Sequence, residues 1–133
     1  MKNERQIVSR LKEILGSQKH GVKVGIGDDA AVFRSLSPNT VVTVDALVEG
    51  VHFDLSYATP AEVGVKAMAV NLSDIAAMGA KPSFAVVSLA VPSSKAQSFL
   101  PGLYRGISKM ANEHGVGVIG GNLSHSPSSI FID

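Results

Sequence analysis

Residues 59–79, TPAEVGVKAMAVNLSDIAAMG, constrain the fold more than any other part of this 133-residue chain. Thr59 can cap a helix, Pro60 suits its first position, and Glu62 completes a capping box. Gly79 supplies a left-handed stop, so a helix is expected from 60 to about 78. Its body is mostly apolar or small, and one carboxylate interrupts it near the end. Asp74 there meets the negative end of the helix dipole, at roughly 0.3–1 kcal/mol when exposed and more if buried unpaired. A positive partner is expected beside it, and a metal ion is the simplest candidate.

Around this helix the other elements fall into place. Ile7, Leu11, Ile14 and Leu15 recur at helical spacing over 4–15, with Gly16 as a stop. A glycine-punctuated loop over 21–27 leads to a turn at Asp28-Asp29 and a short strand ending in Val32-Phe33. Residues 41–48 are β-branched and apolar except around Thr43 and Asp45, and read as a buried strand. Residues 83–91 form the next strand, ended by Pro92. A third helix is expected over roughly 95–114, with Phe99, Leu103, Ile107 and Met110 on one face. Pro101 and Gly102 fall inside it and predict a late start or a kink. Strands at 116–119 and 130–132 complete the order α, β, β, α, β, α, β, β. That order describes an α+β domain with a mixed or antiparallel sheet and helices packed on one face. The uncovered sheet face predicts a dimer interface.

Composition narrows the function. With 45% hydrophobic residues, a packed core is expected rather than disorder, and the length suits one domain that buries roughly two-thirds of its unfolded surface. Twelve Lys and Arg against eleven Asp and Glu, with no basic run, argue against a nucleic-acid surface. No cysteine is present, which excludes disulfides and thiolate metal sites and suits the cytoplasm. The first residues lack the apolar core of a signal peptide and no run reaches membrane-spanning length, so no membrane role is expected. The sequence stops inside an expected strand, as a truncated chain or one domain of a longer enzyme would.

Several motifs bear on chemistry. Gly115-x-Gly117-x-x-Gly120 matches the dinucleotide fingerprint literally, but it follows a helix and becomes a strand, the reverse of what that fingerprint requires. No Gly-x-x-x-x-Gly-Lys-Ser/Thr loop exists, so a nucleotide site here is not of the P-loop kind. Gly25-Ile26-Gly27-Asp28-Asp29 places two carboxylates on a turn, which alone reads as solvated. Asp45 is harder to dismiss, since a charge inside a buried strand needs a partner. Asp28, Asp29, Asp45 and Asp74 all sit among glycines or apolar residues, and hard oxygen ligands of this kind suit Mg²⁺ shared with phosphate oxygens. His52 lacks a second histidine at metal spacing. Asn122 either caps a turn or faces a ligand, and Tyr104 by default fills core or surface.

The segments GIGDDAAV (25–32), VTVDALVEGVHF (42–53), GVKAMAVNLSDIAAMGAKP (64–82) and GVGVIGGN (115–122) resemble the N-terminal domain of the thiamine-monophosphate kinase family, within the aminoimidazole-ribonucleotide-synthetase-like superfamily. The resemblance covers nearly the whole chain in order. It implies transfer of a phosphoryl group from ATP to thiamine monophosphate, giving thiamine diphosphate, with Mg²⁺; direct transfer without a phosphoenzyme is expected because no nucleophile stands out in the sequence. It also implies a homodimer whose N-terminal sheets form a shared barrel. Carried over by position, Asp29, Asp45 and Asp74 match magnesium ligands, Asp28 is their neighbour, and Thr43 matches a hydroxyl near a metal. His52 matches a contact to the thiamine phosphate, and Tyr104 and Gly121 match ATP contacts. Asn122 stands where the family often has Asp at a site for metal and ATP, and Val44 where it commonly has Ser or Thr. Leu123-Ser124-His125 replaces Thr-Thr-Arg. The family's C-terminal domain, which also contributes to the site, has no counterpart in these residues, so the chain alone is expected to be inactive. Two other readings remain: another ATP-binding enzyme of the superfamily, of the selenophosphate-synthetase or hydrogenase-maturation type, or a noncatalytic dimerisation or nucleotide-sensing module.

Overall fold

The structure, a computed structural model, describes residues 4–17, 20–27, 30–34 and 38–133. Among these the chain runs through α1 (Glu4–Leu15), β1 (Val22–Val24), β2 (Val32–Phe33), β3 (Leu47–Val48), α2 (Pro60–Ala77), β4 (Phe84–Val91), α3 (Ser93–His114), β5 (Gly117–His125) and β6 (Phe131–Ile132). β1 and β2 form a small antiparallel ribbon, and the main sheet has the order β3-β6-β4-β5. β4 and β5 are parallel, joined by the α3 crossover that parallel neighbours need. β6 inserts antiparallel between β4 and β3. The result is the α+β domain with a mixed sheet that the element order implied.

The local signals of α2 act as expected. Thr59 is extended at φ −75° and ψ 155°, and its side chain accepts the Glu62 N–H. Glu62 Oε2 in turn accepts the Thr59 N–H at 2.8 Å and its hydroxyl at 2.7 Å. At the other end Gly79 has φ 66°. The Gly79 and Ala80 N–H groups return to the Ala76 and Ile75 carbonyls at 2.9 and 3.0 Å, satisfying acceptors that the helix end would orphan.

α3 packs on the sheet and contacts both other helices. Its Phe99, Leu100, Leu103 and Ile107 are buried with Leu89 and Val91 of β4. Glycines let α2 and α3 approach backbone to backbone. A Cβ at Gly64 would lie 2.1 Å from the Leu103 carbonyl oxygen, and one at Gly106 would lie 2.0 Å from that of Ala61.

Four features differ from expectation. Residues 41–46 form no strand; only Leu47 and Val48 find partners, in Ile132 and Phe131. Without a neighbouring strand among the described residues, Val42 is 85% and Val44 69% exposed, and Asp45 is exposed rather than buried. β1 arises where the sequence suggested only a loop. α3 begins at Ser93, earlier than expected, and continues through Pro101. Proline removes a bond to the carbonyl four residues back, here that of Gln97, which is exposed, while Pro101 itself is buried among the core residues of α3. β5 runs on through Gly120 and Gly121 to His125 instead of stopping at 119.

Candidate functional site

An open groove of about 490 Å³ lies between α1, β4, α3, β5 and the glycine loop after β1. Tyr104 from α3 lines it with Gly120, Gly121 and Asn122 from β5, Ser88 from β4, and Gly25 and Gly27 from the loop. Tyr104, Gly121 and Asn122 were separate expectations in the sequence, and the fold brings them to one wall. A smaller cavity of about 50 Å³ between α1 and α3 holds none of the expected residues.

The backbone of that wall depends on glycine. The β4–β5 register shifts between Ala85 and Val86, so that Ile119 bulges out before Gly120. Gly121 follows with φ 153°, and a Cβ there would lie 2.0 Å from the Val87 carbonyl oxygen. Glycine at 121 is therefore required by the close approach of β4, and Gly120 and Gly121 line the groove without side chains. The literal fingerprint has no such role as a unit: Gly115 is the left-handed cap of α3 and Gly117 opens β5. The Tyr104 phenol is pushed up to about 12 by burial, so it stays neutral and able to donate.

Asp74 lies outside this groove lining, exposed in the last turn of α2, where no basic residue offsets the dipole. Its Oδ2 accepts the Thr43 hydroxyl at 2.9 Å. This bond draws the irregular 41–46 segment across the helix end and unites two residues 31 positions apart. Asp45 makes no side-chain hydrogen bond or ion pair among the described residues. No three His, Asp or Glu side chains there converge as a metal-binding group. Asp28 and Asp29 lie outside the described residues, directly after Gly27 of the groove.

His52 occupies a third position, on the turn after β3. Its Nδ1 accepts the Val48 N–H at 3.0 Å, and its carbonyl accepts the Lys66 ammonium of α2. Two features escaped the sequence reading. Glu49 pairs with Lys95 at 2.6 Å and accepts the Ile130 N–H at 3.0 Å, fastening this turn to α3 and to the residue just before β6. Ser88 faces the groove, which the alternation of β4 could have revealed, since Val87, Leu89 and Val91 point into the core.

Comparison with known proteins places these features in a wider group. Residues 27–133 match the family model described as AIR synthase related protein, N-terminal domain. The thiamine-monophosphate kinase of Bacillus subtilis is 48% identical over 112 residues, covering 84% of this chain and 34% of that protein. The crystal structure of thiamine-monophosphate kinase from Stenotrophomonas maltophilia superposes with a TM-score of 0.74 at 32% identity, over 99% of this chain and 40% of that one. The structure of AaThiL complexed with AMPPCP and TMP gives a TM-score of 0.60 at 40% identity, over 66% of this chain and 29% of that one. The chain thus spans about a third of the length of the curated relatives it matches.

Proposed function

This chain belongs to the family of AIR synthase related proteins as its N-terminal domain, and on that premise we propose that it supplies the nucleotide-binding half of a thiamine-phosphate kinase. The reaction is transfer of the γ-phosphoryl group of ATP to the phosphate of thiamine monophosphate, giving ADP and thiamine diphosphate. The observation that carries this reading is the convergence of Tyr104, Gly121 and Asn122 on one groove. Similarity to a kinase from Bacillus subtilis and to a structure complexed with AMPPCP and TMP supports the choice of substrates.

Phosphoryl transfer asks little covalent help of a protein; it needs donor and acceptor held in line and the charge on the phosphate oxygens balanced. The main chain at Gly120–Gly121 lets a nucleotide lie close against β5, while the neutral Tyr104 hydroxyl and the Asn122 amide offer polar contacts without adding negative charge. Thr43 and Asp74 present hard oxygen donors at the edge of the domain, joined by their hydrogen bond. This pair fits Mg²⁺, which takes one or two protein oxygens and completes its shell with water and phosphate. Asp45, Asp28 and Asp29 are further candidates for the same shell. Mg²⁺, when bound, supplies the positive charge that the last turn of α2 lacks. His52 would hold the acceptor phosphate.

A homodimer through the open sheet face belongs to the same proposal, supported by the exposure of Val86 at 63% and Phe131 at 40%. So does work in the cytoplasm; no helix among the described residues is long and apolar enough to cross a membrane. The test uses a chimera in which residues 1–133 replace the matching N-terminal third of the Bacillus subtilis relative. Titration calorimetry should show ATP binding that requires Mg²⁺. A folded chimera that binds no ATP with Mg²⁺ present would favour a noncatalytic dimerisation module.

A further inference from the structure

Lys95 is electrostatically misplaced. It stands in the first turn of α3, at the positive end of the helix dipole, where a cation is disfavoured. That turn contains no acidic residue, and Pro92 before it supplies no side-chain cap. The balancing charge comes from a distant part of the chain. Glu49 Oε1 lies 2.6 Å from the Lys95 ammonium, across 46 positions of sequence. The Glu49 side chain is only 15% exposed, so solvent and salt screen this pair less than one on the open surface.

The same carboxylate stands where β3 ends. The Glu49 N–H donates to the Ile130 carbonyl at 2.9 Å, as a strand partner would. In a regular antiparallel pair the return bond would reach the Glu49 main-chain carbonyl. Here the Ile130 N–H donates instead to Glu49 Oε2 at 3.0 Å. With the side chain in that role, the main chain leaves the ladder and bends at once. Gly50 follows at φ 84°, and its N–H reaches the Phe53 carbonyl at 2.8 Å. The His52 N–H returns to the Val48 carbonyl at 2.9 Å. Phe53 is buried under the turn, while Val51 and His52 are exposed on it.

Both Glu49 oxygens are thus engaged, one by α3 and one by the residue before β6. We propose that Glu49 is a positioning residue for phosphoryl transfer. Held by Lys95 and the Ile130 N–H, it sets where the 50–53 turn sits against α3, the helix that carries Tyr104 into the groove. The turn's contact with the acceptor phosphate rests on the kinase reading above; the latch through Glu49 is a property of the chain itself.

Amide hydrogen exchange of the chain tests the latch. Glu49→Gln keeps an oxygen for the Ile130 N–H but loses the charge that Lys95 meets, and Lys95→Met leaves the Ile130 bond intact. In each, exchange at Gly50 and His52 should quicken about tenfold, as loss of one charge-assisted hydrogen bond implies, while Leu103 and Ile107 of α3 stay protected. Lys95→Arg should restore slow exchange. Unchanged exchange at Gly50 and His52, or equal acceleration along α3, would overturn the proposal. In the chimera, Glu49→Gln should raise KM for thiamine monophosphate about tenfold on the same ground, with kcat and KM for ATP unchanged. The double variant with Lys95→Met should be no worse than either single one, because both break one contact. An unchanged KM for thiamine monophosphate, an equal rise for ATP, or additive losses would contradict the positioning role. If the wild-type chimera binds ATP but does not phosphorylate thiamine monophosphate, the kinase reading fails, and the exchange rates still decide whether Glu49 holds the turn.

Discussion

Asp74 could be singled out from the sequence because its helix has a clear beginning and end, and a carboxylate at the C-terminal turn is electrostatically misplaced. Its partner could not, since Thr43 lies 31 positions away and the bond depends on how an irregular segment crosses the helix. Asp45 shows the opposite case: its β-branched neighbours suggested burial, yet burial requires a strand alongside, and none is there among the described residues. Asp74→Asn should leave the fold intact and stabilise α2 by up to about 0.3–1 kcal/mol, by removing charge from the negative end of the dipole; urea unfolding midpoints would measure this. The same variant should abolish most activity of the chimera, and wild-type turnover would mean the carboxylate is structural only. Tyr104→Phe removes one hydroxyl from the groove wall and should weaken ATP binding by about 1 kcal/mol, the usual worth of one hydrogen bond. Calorimetry on the chimera would register that loss, with unchanged thermal unfolding as the control.

At the level of elements, local chemistry decided most boundaries and contact geometry decided the remainder. The capping box and the Gly79 stop marked α2 in the sequence, and Pro92 marked the end of β4. The continuation of β5 past 119 hid behind its glycine pair, because the reason for Gly121 is the carbonyl of Val87 on the neighbouring strand, which no local pattern reveals. Gly64→Ala should cost at least about 1–3 kcal/mol, the range for overpacking, because its new methyl meets backbone rather than a movable side chain. Chemical denaturation would show this, and a neutral result would mean α2 and α3 pack less closely than described. Thr59→Ala should cost about 1 kcal/mol through loss of the cap. The Glu62 carboxyl lies below its ordinary value of 4.5 because it accepts first the Thr59 N–H and then the Thr59 hydroxyl. Its contribution is therefore present above the unfolded pKa and disappears as pH falls through the lower folded value. Glu62→Gln should accordingly be less stable than wild type at neutral pH, with the gap narrowing in acid.

For the whole molecule, the α+β class and the single covered sheet face followed from element order, whereas the groove did not, because its walls come from five separated stretches of chain. The open face carries Val86 and Phe131, and the strandless 41–46 segment carries Val42 and Val44, all exposed. A second copy that covered this face and paired with that segment would account for β-branched residues which find no neighbour within one chain. Sedimentation should therefore show a dimer, and Val86→Glu combined with Val42→Lys should give a monomer of unchanged helix content. A wild-type monomer at high concentration would remove the dimer from the account. The central claim concerns chemistry, and the most direct measurement is phosphorus NMR of the chimera supplied with ATP, Mg²⁺ and thiamine monophosphate. The account predicts ADP and thiamine diphosphate in equal amounts, with formation lost in Asp74→Asn. A folded chimera that binds ATP yet yields no thiamine diphosphate would contradict it.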